Sequence, residues 1–291
     1  MEQLDRDQFL GLPSPGLEAA DAVVLPLPFE RTTSYGRGTW RAPRAIICAS
    51  HQVETFDEEA LVDFEEHPRV HTAAPVEAGG SVDACLEAVR EAAHSLRGRF
   101  VLGLGGEHTV TWGLVRGLTD SPERVTIVQV DAHADLIDRL DGQAWSHGTV
   151  MRRLYDHGCR LVQIGVRSLS REEHEFIRAE DRVTTYFAHE LRDRWPDVLA
   201  HLDRLRGDVY LTLDVDGLDP SIIPSTGTPQ PDGLTWRQAM EVLRTVAAGA
   251  RRNLVGADVV EFVPSPGPPG CDIIVARLVA KLLAFRFAQP A

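Results

Sequence analysis

The sequence predicts an α/β fold in which helices cover a mostly parallel sheet. Short runs of Val, Ile and Leu recur along the chain, and such near-continuous apolar runs are typical of strands buried on both faces. Between them lie segments whose apolar residues recur at helical spacing. Because strands and helices alternate, the sequence predicts βαβ units and therefore parallel strands.

Six apolar runs and six amphipathic segments define the predicted elements. The predicted strands comprise residues 22–27, 100–104, 125–130, 160–166, 209–215 and 254–262. The predicted helices comprise residues 83–96, 112–118, 149–157, 171–179, 236–250 and 272–285. A Pro/Gly-rich stretch, residues 264–270, is predicted to be a loop. Because no repeat or linker-like segment divides the chain, we expect a single domain over residues 1–291.

Composition and charge exclude several classes of protein. The chain is 43% hydrophobic and 25% charged, which is typical of globular proteins. Its formal net charge of −13 argues against nucleic acid or an anionic membrane surface as a partner, because phosphate binding requires a basic face. The charge suits a cationic small substrate, although solubility alone is the simpler explanation for it.

The cysteines and the apolar runs predict a cytoplasmic protein. The four cysteines are far apart and show no CxxC spacing, so we expect neither a disulfide framework nor a zinc ribbon. The first 16 residues are polar and acidic, unlike a signal peptide. No uninterrupted apolar run is long enough to span a bilayer.

Metal-competent side chains stand at the carboxyl ends of four predicted strands. They are His108; Asp131, His133 and Asp135; Asp214 and Asp216; and Glu261. In open α/β sheets ligands bind beyond the carboxyl ends of the strands, so we expect these residues to converge. Alternate positions of an extended segment point to the same side, so each Asp/His group could face one site.

The expected cluster needs compensating positive charge, because four packed aspartates repel one another. Two divalent metals would supply that charge, with some aspartates bridging. Oxygen and imidazole ligands without thiolate suit Mn²⁺ and also permit Co, Ni, Fe or Zn. Taken singly, Asp131 or Asp214 could instead cap the next helix, and His108 could be a buried structural histidine.

At these positions the chain resembles the ureohydrolase family. The motifs GGEHT, DAHADL, SHGT, LDVDGLDPS, PSTGTP and VVEFVP occur in the family's order, and PFERTTSYGRGTWRAPRAI resembles the opening segment of agmatinases. The resemblance extends over about residues 22–285. It implies an arginase-like three-layer α/β/α sandwich with about eight strands, a binuclear manganese centre, and a homo-oligomer, either a trimer or a hexamer.

The resemblance also implies a role for each residue of the site. One metal would be held by His108, Asp131, Asp135 and Asp214, and the other by Asp131, His133, Asp214 and Asp216. Asp135 would also hold the attacking hydroxide by a hydrogen bond, and His147 would shuttle protons. Glu261 would bind the guanidinium, in a pocket lined by Thr228. Without the resemblance, His147 could be a structural loop residue and Glu261 could cap the next loop.

The implied reaction cleaves a guanidino group to urea and an amine, with agmatine to putrescine, a step of polyamine biosynthesis, as the favoured case. Aminopropylagmatine, guanidinobutyrate and arginine are alternative substrates. Asp138 and Asp141, in the loop after DAHADL, could attract a distal cation, whereas Arg139 could meet a carboxylate. A deacetylase of the same fold with one zinc ion, or a non-catalytic relative, would be distinguished by metal content per chain.

Several positions depart from the usual family pattern. Glu107 stands where many members carry aspartate, and Thr212 stands where serine is usual. Trp40, Ser225 and Asp232 also differ, in segments near the presumed substrate entrance. None of these changes removes a proposed metal ligand, so they bear on the substrate and not on the reaction.

Overall fold

Eight parallel strands form the main sheet of the computed structural model, which describes residues 6–77, 79–248, 252–265 and 270–289. The strands are β1 (Ala22–Leu27), β2 (Phe56–Asp57), β3 (Val62–Asp63), β4 (Val70–Thr72), β5 (Phe100–Gly105), β6 (Val125–Val130), β7 (Arg160–Val166), β8 (Val183–Phe187), β9 (Gly207–Asp214) and β10 (Arg252–Val260). The main sheet has the order β4-β1-β5-β10-β9-β6-β7-β8, and β2 and β3 form a separate antiparallel hairpin. This sheet confirms the predicted fold class.

Helices flank the sheet on both faces. They are α1 (Ala42–Ser50), α2 (Val82–Ser95), α3 (Val110–Leu118), α4 (Val150–Asp156), α5 (Arg171–Ala179), α6 (Leu191–Arg204), α7 (Trp236–Ala247) and α8 (Cys271–Phe287). Alternate residues of one strand enter two different cores. In β1, Ala22 and Val24 pack with the face that carries α1, α6, α7 and α8, whereas Val23 and Leu25 pack with the face that carries α2, α3 and α4. The chain therefore forms an α/β/α sandwich.

All six predicted strands and all six predicted helices are present. The interpretation of the residue pattern missed β2, β3, β4, β8, α1 and α6. The two missed strands of the main sheet, β4 and β8, are its edges, and an edge strand lacks the continuous apolar run of a buried one. α6 contains Pro196, which normally interrupts a helical pattern.

Two predicted segments extend past the described residues. The predicted helix 236–250 is seen as α7, and its last two residues lie outside the described ranges. Residues 266–269 of the predicted loop 264–270 also lie outside them. That residues 1–291 form one domain remains our proposal, supported by a sheet that draws its strands from Ala22 through Val260.

The four strands that carry the predicted metal-competent residues are adjacent in the middle of the sheet. Their order is β5-β10-β9-β6. Because all four run parallel, their carboxyl ends meet at one edge, and the register pairs Val260 with Asp214 and Asp258 with Thr212. The topology alone thus gathers side chains that lie up to 153 residues apart in sequence.

None of the described helices combines the length and the apolar character needed to cross a bilayer. Cys48, Cys159 and Cys271 carry free thiols. Neither observation contributes to the site, whose chemistry comes from carboxylates, imidazoles and hydroxyls.

Candidate metal centre

His108 lies at the centre of a buried group of carboxylates at the ends of β5, β6 and β9. Its Nδ1 atom is 3.2 Å from Asp131 Oδ2, 3.0 Å from Asp135 Oδ2 and 3.7 Å from Asp214 Oδ2. Despite these distances, Nδ1 has no properly aligned hydrogen-bond partner among the described residues. One nitrogen and several carboxylate oxygens therefore converge on a single point.

A second group of possible ligands adjoins the first and shares Asp131 with it. His133 Nδ1 is 3.1 Å from Asp216 Oδ2 and 3.6 Å from Asp131 Oδ1. The ligand atoms of Asp131, His133 and Asp216 lie within 4.8 Å of one another, as do those of His108, Asp131 and Asp135. Two metal-competent groups that share one carboxylate are the arrangement expected of two neighbouring cations.

The electrostatics of the cluster show how strongly its charges interact. Burial, together with the neighbouring Asp131, raises the pKa of Asp135 to about 7. Burial and Asp216 raise the pKa of Asp214 well above its usual value. Burial opposes the charge on His133, yet hydrogen bonds with Asp131 and Asp216 raise the pKa of this imidazole to about 11. The carboxylates thus compete for the few positive charges that the protein supplies.

The donor set fits divalent metals. The unaligned Nδ1 of His108 facing three carboxylate oxygens is the arrangement that a cation between them would satisfy. Carboxylate oxygens and imidazole nitrogens suit first-row divalent metals, and no cysteine is among the described residues that line the adjacent cavity.

Local backbone structure aims these side chains. Asp135 has φ = 54° and Glu261 has φ = 63°, a left-handed conformation that is uncommon for residues other than glycine. Such strain persists only where the surroundings enforce it, and it concentrates at functional sites. Close packing contributes as well, since a Cβ added at Gly217 would lie 2.8 Å from the backbone nitrogen of Asp131. Glycine at position 217 therefore lets the segment that carries Asp216 approach the end of β6, which is followed by Asp131.

Glu261 is buried at the end of β10, beside His108. Its Oε1 accepts a hydrogen bond of 2.8 Å from the backbone nitrogen of His108. Its own carbonyl oxygen accepts a hydrogen bond from Thr226 Oγ1 at 2.9 Å. Burial and the charge of Glu107 raise the pKa of Glu261 well above its usual value. A cationic group in front of this carboxylate would lower that pKa again.

His147 begins a short 3-10 helix and is held by a separate loop. Its Nε2 is 2.9 Å from Ser34 Oγ, and its Nδ1 is 3.3 Å from Thr32 Oγ1. Thr32 Oγ1 in turn donates a 2.6 Å hydrogen bond to Glu107 Oε1. Burial lowers the pKa of the His147 imidazole, so the ring is mainly neutral at neutral pH.

A cavity of about 250 Å³ opens above the cluster. Of the nine residues predicted for the site, eight line it: His108, His133, Asp135, His147, Asp214, Asp216, Thr228 and Glu261. Asp131 is fully buried beneath them. The structure therefore brings together every side chain that the sequence predicted.

The Asp and Glu side chains that line this cavity are not balanced by Lys or Arg among its described residues. Five carboxylates line it, those of Asp135, Glu173, Asp214, Asp216 and Glu261. Neither Lys nor Arg is among the described residues of the lining. The cavity therefore suits a cationic ligand.

The loop after DAHADL contributes apolar contacts to the cavity instead of charges. Asp138 is paired with Arg153, and Arg139 donates to the carbonyl oxygen of Gly142. Of this loop, Ile137 and Leu140 line the cavity. Two of the charges that the sequence suggested for substrate selection, those of Asp138 and Arg139, thus have partners outside the cavity.

Sequence reasoning missed the residues that support the ligands. Gln129 Nε2 donates to Asp131 Oδ2 at 2.7 Å, and Thr212 and Asp258 form a buried network behind His108. Arg167 donates to the carbonyl oxygen of Asp216 at 2.6 Å. Asp258 carried a signal that could have revealed it, because an acidic residue inside an apolar strand must have buried partners.

Fold and site together define an α/β enzyme with a candidate metal centre at the carboxyl edge of its sheet. The model of the arginase family matches residues 20–284. The chain therefore belongs to the arginase family. It is a hydrolase of the agmatinase type that acts on guanidino compounds.

Individual relatives agree with this membership. The chain is 33% identical over 277 residues to the N(1)-aminopropylagmatine ureohydrolase of Synechocystis, covering 91% of this chain and 89% of the relative. It is 31% identical over 272 residues to the agmatinase of Pyrococcus horikoshii, covering 92% and 93%. The crystal structure of agmatine ureohydrolase from Thermoplasma volcanium superposes with a TM-score of 0.85 at 28% identity, covering 98% and 94%. The predicted family, fold class and type of enzyme are confirmed.

Proposed function

We propose that this enzyme uses two divalent metals to hydrolyse the guanidino group of a cationic, agmatine-like substrate to urea and an amine. The observation that carries the proposal is the cavity lining, which combines five carboxylates with no Lys or Arg among its described residues. Because Asp135, Asp214 and Asp216 would hold the metals, Glu261 is the carboxylate left to attract a cationic guanidinium. A substrate with a carboxylate at its far end would find no cation to pair with.

The proposed metal ligands extend the two groups of the cluster, and Asp214 is assigned to both metals on the family resemblance. His108, Asp131, Asp135 and Asp214 would hold one metal, and Asp131, His133, Asp214 and Asp216 would hold the other. The shared position of Asp131 between the two groups supports a bridging role. Manganese suits the ligand set, and Co, Ni, Fe or Zn would also fit it. When bound, the metals would supply an activated water at neutral pH and Lewis-acid stabilisation of developing charge.

Glu261 would bind the guanidinium of the substrate. A carboxylate can accept two parallel hydrogen bonds from a guanidinium, and the backbone bond from His108 fixes its orientation. A Cβ added at Gly227 would lie 4.0 Å from Glu261 Oε2, so a larger residue there would occupy space near the free oxygen. Thr228, the next residue, lines the same part of the cavity.

His147 would transfer a proton to the leaving nitrogen. Breaking the bond between the guanidino carbon and the alkyl nitrogen requires that nitrogen to leave as a neutral amine, so it must first gain a proton. The mainly neutral ring of His147 can accept a proton during attack by water and then deliver it. Asp135, whose pKa is about 7 before metal binds, is the proposed hydrogen-bonding partner of the attacking water.

Agmatine is the first candidate substrate, and N(1)-aminopropylagmatine is the second. Both carry a guanidinium and a distal amine, with methylene groups that would pack against Ile137 and Leu140. The second candidate is favoured by the Synechocystis relative, which bears that name at 33% identity. Arginine and guanidinobutyrate are disfavoured because each carries a carboxylate.

Urea release from the manganese-loaded protein tests this proposal. We expect kcat/KM for agmatine or aminopropylagmatine to exceed that for guanidinobutyrate and arginine by at least about 100-fold. The reason is that the carboxylate of the latter two substrates would be buried without a cationic partner. Comparable turnover of guanidinobutyrate would overturn the substrate argument and leave the reaction intact. No urea from any of the four, with two metals bound per chain, would refute the reaction, and acylated amines would then be tested for deacetylation.

Three further properties complete the proposal. With agmatine, the amine product would be putrescine, which would place the enzyme in polyamine biosynthesis. A cytoplasmic location suits the free thiols of Cys48, Cys159 and Cys271. A trimer or hexamer is supported by family resemblance alone, and light scattering coupled to size-exclusion chromatography would measure it.

A further inference from the structure

The side of His108 that faces away from the cluster contacts a buried network of hydroxyl groups. His108 Nε2 is 2.8 Å from Thr212 Oγ1, on β9. Thr212 Oγ1 donates a 2.6 Å hydrogen bond to Asp258 Oδ1, on the neighbouring strand β10. The sheet register pairs Thr212 directly with Asp258, so the contact is set by the backbone.

Asp258 is surrounded by hydrogen-bond donors. Thr111 Oγ1 and Tyr210 OH donate to its Oδ2 at 2.8 Å and 2.7 Å, in addition to the bond from Thr212. All four of these side chains are shielded from solvent. Burial raises the pKa of Asp258, and the hydrogen bonds from the three hydroxyl groups oppose that rise. Among the described residues, Asp258 thus has three hydrogen-bond donors, the surroundings expected of an ionised carboxylate, which can only accept hydrogen bonds.

The positions of the protons then follow from the number of protons that each of these groups can donate. Thr212 has one hydroxyl proton, and that proton is donated to Asp258. Thr212 Oγ1 can therefore only accept from His108, so His108 Nε2 must carry a proton. The other ring nitrogen, Nδ1, is the one that faces Asp131, Asp135 and Asp214.

We propose that Thr212 and Asp258 are positioning residues that keep the proton of His108 on Nε2 and so reserve Nδ1 for a metal. This pair, Thr212 and Asp258, is called the relay below. The relay acts through His108 and contacts neither substrate nor metal. Without it, the ring could rotate or place its proton on Nδ1, and either change would remove a ligand. Partners of this kind typically contribute 10–100-fold to metal affinity. The inference rests on the proposed metal centre.

Conservative variants of Thr212 test the relay. Thr212→Val keeps the shape and removes the hydroxyl, Thr212→Ser keeps the hydroxyl, and Thr126→Val makes the same change in a buried strand residue away from the site. We expect Thr212→Val to weaken binding of one Mn²⁺ by about 10–100-fold. Binding by Thr212→Ser and Thr126→Val should stay within about threefold of the wild type, below that range. Titration calorimetry measures the affinities, and electron paramagnetic resonance shows whether the coupled signal of a metal pair gives way to that of a single ion.

Unchanged Mn²⁺ affinity in folded Thr212→Val would overturn the inference, as would an equal loss in Thr126→Val. A second measurement needs neither a variant of the relay nor a metal. In the metal-free wild type labelled with [¹⁵N]histidine, at a pH at which the His108 ring carries a single proton, NMR should show that proton on Nε2, with the signal assigned by its absence in His108→Asn. An unprotonated Nε2 would refute the relay. A wild type that binds no metal would instead refute the proposed function, and the NMR result would still decide the relay.

Discussion

Glu107 accepts hydrogen bonds from the loop that contains Arg31 and Thr32, next to the cavity. Replacing Glu107 by glutamine is the most informative change outside the metal cluster. Glu107 is fully buried and does not line the cavity. Its Oε2 accepts from the backbone nitrogens of Arg31 and Thr32 at 2.6 Å and 2.7 Å, and its Oε1 accepts from the hydroxyls of Thr32 and Thr109. Glu107→Gln keeps the size of the side chain and removes the charge.

The expected cost in stability follows from these four hydrogen bonds. A bond to a charged acceptor stabilises by about 1.5–3 kcal/mol and a neutral one by about 0.5–1.5 kcal/mol, so four exchanges would cost about 4 kcal/mol. Removing a buried charge recovers part of that cost, because desolvation penalises a buried carboxylate. We expect a net loss of about 2 kcal/mol in the free energy of unfolding, which corresponds to about 4–8 °C in Tm.

The same change should impair catalysis through His147. In Glu107→Gln the amide NH₂ would face the hydroxyls, because the amide oxygen is needed by the two backbone N–H groups. The Thr32 hydroxyl would then no longer donate to residue 107, and its proton could point to His147 Nδ1. Because the orientation and tautomer of His147 would change, we expect kcat to fall by about 10-fold, part of the usual contribution of a proton-transfer group. KM should change by less than about twofold, as expected where only a transition-state interaction is lost.

Thermal unfolding of the metal-free protein and urea release by the manganese-loaded protein measure the two effects. Glu91→Gln, a change on the exposed face of α2, controls for the loss of one negative charge. A Tm within about 1 °C of the wild type would show that the hydrogen bonds of Glu107 contribute little, contrary to the range used above. A lower Tm with unchanged kcat would show that the loop is stabilised by Glu107 but does not orient His147.

Three further predictions concern the metals, the edge of the sheet and the wall of the cavity. Asp131→Ala should reduce bound manganese below one ion per chain, whereas Asp216→Ala should leave about one, as elemental analysis would show. A hydrogen bond from Arg69 lowers the pKa of Asp21 to about 2 in the folded protein, below the pKa of this group in the unfolded chain. Asp21 therefore stabilises the fold fully at pH values above its unfolded pKa, and this stabilisation declines as the pH falls toward 2. Asp21→Asn should thus cost about 1 kcal/mol at pH 7 in urea unfolding, a value reduced for solvent exposure, and progressively less in acid; a constant difference would contradict this. Gly36→Ala should raise KM and lower Tm, since its Cβ would lie 2.8 Å from the backbone of the facing loop.

The sequence predicted the interior of this molecule better than its periphery, for a physical reason. Central strands such as β6 and β9 are buried on both faces, so their apolar runs are unambiguous. The edge strands β4 and β8 are short and partly exposed, and their composition does not distinguish them from loops. The metal-competent residues were predictable because they follow central strands, and parallel topology brings the ends of those strands together.

The supporting contacts of the site could not be predicted, because they join loops that are remote in sequence. Ser34 and His147 are separated by 113 residues, and their contact depends on how two loops pack. The expected role of Asp138 as a distal charge failed to appear for a related reason. Whether a carboxylate faces a cavity or pairs with Arg153 depends on a rotamer that no sequence pattern encodes.

The buried carboxylates of this protein differ in the number of hydrogen-bond donors around them. This number distinguishes the carboxylates that support the site from those that would bind a metal. Asp258 accepts three hydrogen bonds and Glu107 accepts four, so the protein itself compensates their charge. Asp214 and Asp216 each accept a backbone hydrogen bond, from the nitrogens of Asp216 and Ala132, and otherwise face ligand atoms of the cluster. In the sequence all four are acidic residues in or beside strands and look equivalent. Each of the four buried negative charges requires compensation by hydrogen-bond donors or positive charge. Where the protein provides few donors, a bound cation must compensate the remaining charge.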